Sequence, residues 1–231
     1  MSKHIAVLVS GGGTNLQALM DAQNRGELPG GDITAIISST PQAYALTRAR
    51  QAGIPAYTIA RRDYPSVGEM TVALVELLHQ LEIDLVVMAG FLLIVSKELI
   101  EAYPNAIINV HPALIPAFSG PGCYGIHVHE RALEYGVKLS GATVHFVSEE
   151  CDGGPIILQK AVEVLPSDTP ETLQQRIMEQ AEWDLLPRAV SLFCQDRLRV
   201  EGRIVHILEH AASIGTPPAP GGTVGMDSNF I

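Results

Sequence analysis

Over the first half of the chain, short apolar runs alternate with segments of helical spacing, and this alternation narrows the possible folds more than any other feature. HIAVLV (4–9), ITAIIS (33–38), PAYTIA (55–60), DLVVMAG (84–90) and AIINV (106–110) have the length and β-branched content of strands. TNLQALMDAQ, YALTRARQAG, EMTVALVELLHQ and SKELIEAY lie between them, with apolar residues at helical intervals. Strand–helix alternation predicts an α/β fold: a Rossmann-like, mostly parallel twisted sheet with helices on both faces. DLVVMAG shows little polar alternation, as expected of a strand covered on both sides.

The pattern changes after residue 111. PALIPAFSGPGCYG is a Pro/Gly-rich loop, longer than a simple connection requires. HVHERALEYG has helical spacing, while VKLSGATVHFV and PIILQKAVEVL read as neighbouring strands joined across CDGG. SDTPETLQQRIMEQAEWDLLPRAVSLFCQ is predicted as one long helix, capped by Ser167 or Asp168 ahead of Pro170 and Glu171. The expected organisation is a single domain over 1–210, with halves at 1–108 and 109–210. The breaker-rich segment 211–231 is expected to be a flexible tail.

The chain has 231 residues, 47% apolar and 17% charged, enough to bury a sizeable core. A formal net charge of -10 does not suit a nucleic-acid coat, so an anionic small molecule would be held by local backbone donors. Three cysteines (Cys123, Cys151, Cys194) form no CxxC and favour a reducing compartment. The apolar stretch near the start is too short for a signal peptide, and no run approaches a membrane span. The expectation is a cytoplasmic-type protein that does not engage membranes or nucleic acid, as a monomer or homodimer.

In VLVSGGGTNLQAL, Gly11, Gly12, Gly13, Thr14 and Asn15 follow the first strand and open the first helix. Glycines permit close backbone approach, and a helix N-terminus offers free N–H groups, so a phosphate is a natural guest. A tight strand–helix turn is the plainer reading. Leu16 stands where a dinucleotide fingerprint needs its third glycine, and a Walker lysine is lacking, so a monophosphate fits better than either.

IINVHP places Asn109 and His111 on one face of a strand that Pro112 then ends. Ligands of open α/β sheets collect at such carboxyl ends. Asp152, in CDGGP, is the acidic candidate, although alone it reads as a turn residue. Should the three converge, Asn109 can donate to a developing oxyanion, His111 can act as acid or base, and Asp152 can hold the histidine protonated. No nearby serine or cysteine makes an obvious nucleophile, which suits an amine substrate attacking a carbonyl. A rival reading takes His127, His129 and Glu130 with His111 and Asp152 as a metal site, against which residues two apart on a helix face differently. His145 reads as a packed strand residue.

Taken together, VLVSGGGTNLQAL, RARQAGIP, DLVVMAGF, INVHPALIPAF, GATVHFVSEECDGGPIILQ and AEWDLLP resemble the glycinamide ribonucleotide formyltransferases of purine biosynthesis, in family order over about residues 4 to 190. The Asn-x-His-Pro and Asp-Gly-Gly-Pro pair marks the wider folate-dependent formyltransferase superfamily. The resemblance implies formyl transfer from 10-formyltetrahydrofolate to the amine of glycinamide ribonucleotide, with no metal required. By that likeness Asn109 polarises the formyl oxygen, His111 donates a proton and Asp152 assists it. Gly12, Gly13, Thr14 and Asn15 would hold the substrate phosphate, and Glu182 the ribose. Folate would lie along Leu92, Leu93, Ile94 and Val95, with Asn109 and the backbone of Glu150, Cys151 and Asp152. The halves then become phosphate-binding (1–108) and folate/catalytic (109–210).

The chain departs from that family pattern in four places. Leu93 and Val67 stand where many members carry cations for the folate tail. The loop after His111 is longer, and one residue is added between Arg176 and Glu182. Two siblings compete with this reading: methionyl-tRNA formyltransferase, for which a basic second domain is expected, and formyltetrahydrofolate hydrolase, for which an N-terminal regulatory domain is expected. From different classes come a metal-dependent amide hydrolase using His111, His127 and His129, and a non-catalytic nucleotide-binding module.

Overall fold

The computed structural model describes residues 2–93 and 96–209. Ile94, Val95 and the 211–231 segment, assigned above to folate binding and to a tail, lie outside the described residues. β1 (Lys3–Val9), β2 (Gly31–Ser38), β3 (Ala56–Thr58), β4 (Leu85–Met88) and β5 (Ile107–His111) form a parallel sheet in the order β3-β2-β1-β4-β5. α1 (Thr14–Asn24), α2 (Tyr44–Gln51), α3 (Val67–Gln80) and α4 (Lys97–Ala102) make the crossovers. The sheet extends through β6 (Leu139–Phe146) and β7 (Ile156–Glu163), both antiparallel to their predecessors. α5 (Ile126–Tyr135) connects β5 to β6. The mostly parallel α/β architecture expected from the alternation is the one observed.

Side-chain alternation sorts the core into two layers. Ile5, Val7 and Val9 of β1, with Leu85 and Val87 of β4, pack beneath α1 and α2, and beneath the helices after β7. Ala6, Leu8, Val86, Met88 and Ile107 meet Met70, Leu74 and Leu78 of α3 and Leu99 of α4. Ile107 therefore fixes the parity of β5: Asn109 and His111 share its face, while Ile108 and Val110 join the opposite layer.

Three local expectations need correction, and one element is additional. PAYTIA pairs over Ala56–Thr58 alone, since Ile59 and Ala60 turn into a 3-10 turn at Arg61–Asp63. The cap of the late helix is Thr169, which accepts from the Thr172 N–H in a capping box, while Asp168 accepts from the Leu165 N–H and pairs with Arg176. The long helix is three pieces: α6 (Pro170–Ile177), a π-helical turn at Met178–Glu182, and α7 (Trp183–Cys194). A π turn takes up one residue more than an α turn. Finally, β8 (Leu198–Glu201) and β9 (Ile204–Ile207) form a hairpin on the far edge of the sheet that the sequence pattern did not show. Among the described residues no helix is long and apolar enough to cross a membrane.

Candidate active site

The strand order reverses direction between β1 and β4, so the loops leaving these strands flank a topological switch point, where open α/β sheets bind ligands. The two loops are tied together. The Ser10 N–H donates to the Gly90 carbonyl at 3.1 Å, and the Leu92 N–H donates to Ser10 Oγ at 2.9 Å. Gly13 opens α1 with φ of 73°, and a Cβ there would sit 2.7 Å from Ala45 Cβ, so both conformation and space demand glycine. Cβ atoms at Gly11 or Gly12 would meet nothing within 4 Å; these positions face open space.

Below this loop, Asn15 Nδ2 donates to Glu182 Oε2 at 2.6 Å. The π turn carries Glu182 inward until it is almost wholly enclosed. Burial pushes its carboxyl up to about 7, the bond from Asn15 opposing that shift. Asn15 Oδ1 is buried without a partner among the described residues. Thr14 Oγ1 lies 3.7 Å from the Met178 sulfur, so the π turn also abuts the first residue of α1.

One strand beyond β4, and so about 10 Å from β1, β5 presents its polar pair. His111 is buried, its Nδ1 3.5 Å from Asp152 Oδ2 and its Nε2 2.8 Å from the Phe118 carbonyl. A carbonyl only accepts, so Nε2 carries hydrogen. Asp152 reaches this position from the turn after β6, with φ of 54°, a left-handed conformation that aspartate tolerates. Gly154 allows the approach: a Cβ there would lie 1.8 Å from the Phe146 carbonyl oxygen. The Gly120 N–H donates to Asp152 Oδ2 at 2.9 Å, docking the long loop after His111 onto the same carboxylate.

His145, read above as a packed strand residue, belongs to this cluster. In the antiparallel register of β5 and β6 it stands directly opposite Asn109. Asn109 Nδ2 lies 3.2 Å from His145 Nε2, and His145 Nδ1 lies 2.9 Å from the Phe146 carbonyl. That carbonyl requires a hydrogen on Nδ1, which leaves Nε2 as the acceptor for the amide of Asn109. Burial holds the imidazole below its usual pKa, with the Phe146 carbonyl and Asp152 pulling the other way, so the ring is neutral and its tautomer fixed. His145 Nε2 is also 3.8 Å from Asp152 Oδ1. The signal that finds His145 is strand pairing, which sequence periodicity alone does not provide.

The remaining candidates are more dispersed. Leu92 is exposed, whereas Leu93 packs partly against the α3–α4 layer. Glu150 is exposed near Arg203, with 3.8 Å between charged atoms. Cys151 is exposed as a residue, with Sγ 3.9 Å from Asp152 Oδ2; partial desolvation of the sulfur and the neighbouring Asp152 charge push its thiol up, away from the reactive thiolate. The HVHE segment does not converge: His127 points outward to Glu130 at 2.8 Å, while His129 is fully buried. No group of three or more potential metal ligands occurs among the described residues. A cavity of about 310 Å³ adjoins Thr14, Gln17, Arg48 and Trp183; a larger one, about 740 Å³, runs along α7 and contains none of the candidate residues.

The formyl transferase family model matches residues 3–190. The chain belongs to the formyl transferase family. It is 38% identical over 205 residues to the phosphoribosylglycinamide formyltransferase of Haemophilus influenzae, covering 89% of this chain and 93% of that one. The Escherichia coli enzyme of the same name is 37% identical over 200 residues, covering 85% and 90%. The crystal structure of glycinamide ribonucleotide transformylase 1 from Symbiobacterium toebii superposes with a TM-score of 0.85 at 45% identity, covering 90% of this chain and 95% of that one. Within the family, the chain is of the phosphoribosylglycinamide formyltransferase type.

Proposed function

We propose that this formyltransferase moves the formyl group of 10-formyltetrahydrofolate to the primary amine of glycinamide ribonucleotide, giving formylglycinamide ribonucleotide and tetrahydrofolate. The observation that carries the reading is a cluster of oriented hydrogen-bond donors at the end of β5 without an activated protein nucleophile beside it among the described residues. Asn109 is aligned by His145, His111 is flanked by Asp152, and the Cys151 thiol beside Asp152 is pushed away from its thiolate form. The nucleophile must then come with the substrate, as it does for an amine. The names of the relatives point to the same substrate.

The substrate phosphate sits on the N–H groups of Gly12, Gly13, Thr14 and Asn15, and Glu182 faces the ribose. The amine then reaches toward β5, where the folate carries its formyl group along Leu92, Leu93 and the Glu150–Asp152 turn. Attack of the amine lone pair on the formyl carbon pushes the carbonyl electrons onto oxygen. Asn109 uses one Nδ2 hydrogen on His145 and has the second for that oxyanion. His111 donates a hydrogen bond from Nε2 to the same oxygen once that oxygen takes the place of the Phe118 carbonyl, and keeps its proton as the adduct collapses. Collapse of the tetrahedral adduct breaks the bond to folate N10. The proton lost by the attacking nitrogen passes to N10, with Asp152 as relay.

The test is to mix the protein with glycinamide ribonucleotide and a 10-formylfolate donor and to follow deformylated folate by absorbance. Product that requires both substrates is expected. Deformylated folate formed without the ribonucleotide would instead identify a hydrolase and overturn the assignment.

A further inference from the structure

The glycine loop offers an anion its N–H groups only if its carbonyls point elsewhere, and α2 turns them away. The Gly11 carbonyl accepts from the Ala45 N–H at 3.1 Å, and the Gly12 carbonyl accepts from Arg48 Nε at 2.9 Å. In a trans peptide the N–H points opposite the C=O. Drawing both carbonyls toward α2 therefore aims the Gly12 and Gly13 N–H groups the other way, together with the free N–H groups of the first turn of α1. The guanidinium is itself fixed. Arg48 Nη1 donates to Gln17 Oε1 at 2.8 Å, and the group lies over the Tyr44 ring, 5.1 Å from its centroid. Ala45 acts through its backbone and would do so with any side chain; the second restraint depends on arginine.

We propose that Arg48 is a positioning residue for the anion loop: it holds the Gly12–Gly13 peptide with its N–H toward a phosphate monoester and so sets the preference for a phosphorylated over an unphosphorylated amine substrate. The inference rests on the reading of this loop under the proposed function. Arg48 does not touch the reacting atoms, which lie at the end of β5. Its contribution is felt in binding and is confined to ligands that carry the phosphate.

The experiment compares wild type with Arg48→Met in two ways. By calorimetry, ribose 5-phosphate should bind the variant about tenfold more weakly, or worse, as for loss of a charge-assisted hydrogen bond and the orientation it enforces. In turnover, KM for glycinamide ribonucleotide should rise by a similar factor while kcat stays within about twofold, the signature of lost uniform binding. With the dephosphorylated glycinamide riboside the two proteins should behave alike. Undiminished ribose 5-phosphate binding in the variant would overturn the proposal, as would equal impairment with the riboside, which would mark a general structural role. If wild type binds ribose 5-phosphate through Arg48 yet forms no formylated product from the ribonucleotide, the substrate assignment fails and the loop inference stands.

Discussion

Replacing His145 with phenylalanine tests the orientation of Asn109 directly. The imidazole is buried in β6 and makes two hydrogen bonds, from Asn109 Nδ2 at 3.2 Å and to the Phe146 carbonyl at 2.9 Å. Phenylalanine fills the space and accepts nothing, so the amide of Asn109 is free to rotate, presenting its oxygen to the oxyanion part of the time. Losing one neutral hydrogen bond costs about 1 kcal/mol. Losing an oxyanion donor outright costs about 3 kcal/mol. A donor that is present but no longer held falls between these limits, so kcat should drop roughly ten- to a hundredfold. KM for the ribonucleotide should not change, because the glycine loop proposed to hold its phosphate lies beyond β4. His145→Gln, whose Oε1 can accept from the same amide, should recover part of the loss. A double-mutant cycle closes the test: in an Asn109→Ala background, His145→Phe should cost little more, since there is no amide left to orient. Additive losses, or a folded His145→Phe protein with kcat within about threefold of wild type, would refute the reasoning.

Three further outcomes follow from the same geometry. Glu182 has a folded pKa pushed up to about 7, so its contribution to stability is full below the unfolded pKa of about 4.5 and is lost as pH rises through 7. Glu182→Gln should therefore flatten the decline in urea-derived stability between pH 5 and 8, a span worth about 3 kcal/mol, and an unchanged decline would count against the buried carboxyl as its source. Gly13→Ala forces a left-handed alanine whose Cβ lies 2.7 Å from Ala45 Cβ, and should cost at least about 1–2 kcal/mol. Thermal unfolding measures this, and a melting point equal to wild type would exclude the strained conformation. Burial, helped by the charge on His111, lowers His129 to about 4. As pH falls below 6.5 the unfolded chain binds a proton that the folded one refuses, so wild type loses stability toward pH 4; His129→Leu should lose less over that range in parallel chemical denaturation.

The parallel half of the sheet was readable because each strand announces itself locally. A both-faces-buried run such as LVVM needs no partner to be recognised, and the motif pieces SGGGTN, NVHP and DGGP carry their own turns. Four features escaped for the converse reason. The β8–β9 hairpin is only four residues a strand and half exposed, which leaves it without apolar periodicity. The π turn at Met178–Glu182 has the composition of the helix around it; what distinguishes it is the burial of Ala181 and Glu182 against the sheet, a tertiary demand. Thr169 caps its helix instead of Ser167 or Asp168 because Arg176, two turns on, claims the Asp168 carboxylate. His145 looked like a core residue because it is one by burial, and its partner lies 36 positions away on another strand.

These omissions share a physical cause that also accounts for how the site works. A donor that meets a ligand must sit at a strand end or helix start, where the chain changes direction, and glycine, proline and asparagine mark such places in any sequence. A donor is useful only if its orientation is settled before the ligand arrives, because reorganisation during the reaction would spend the electrostatic gain. The restraint has to come from behind, from packed positions that carry no turn signal. Arg48 supplies it for the Gly12 peptide from the second turn of the neighbouring crossover helix, and His145 supplies it for Asn109 from an antiparallel strand. Arg48 lies outside SGGGTN and His145 outside NVHP, the motifs they serve. Motif residues thus reveal what chemistry is offered, while the residues that fix its direction become visible only with the fold, and perturbing the second set should reduce rate or affinity while every motif residue remains in place.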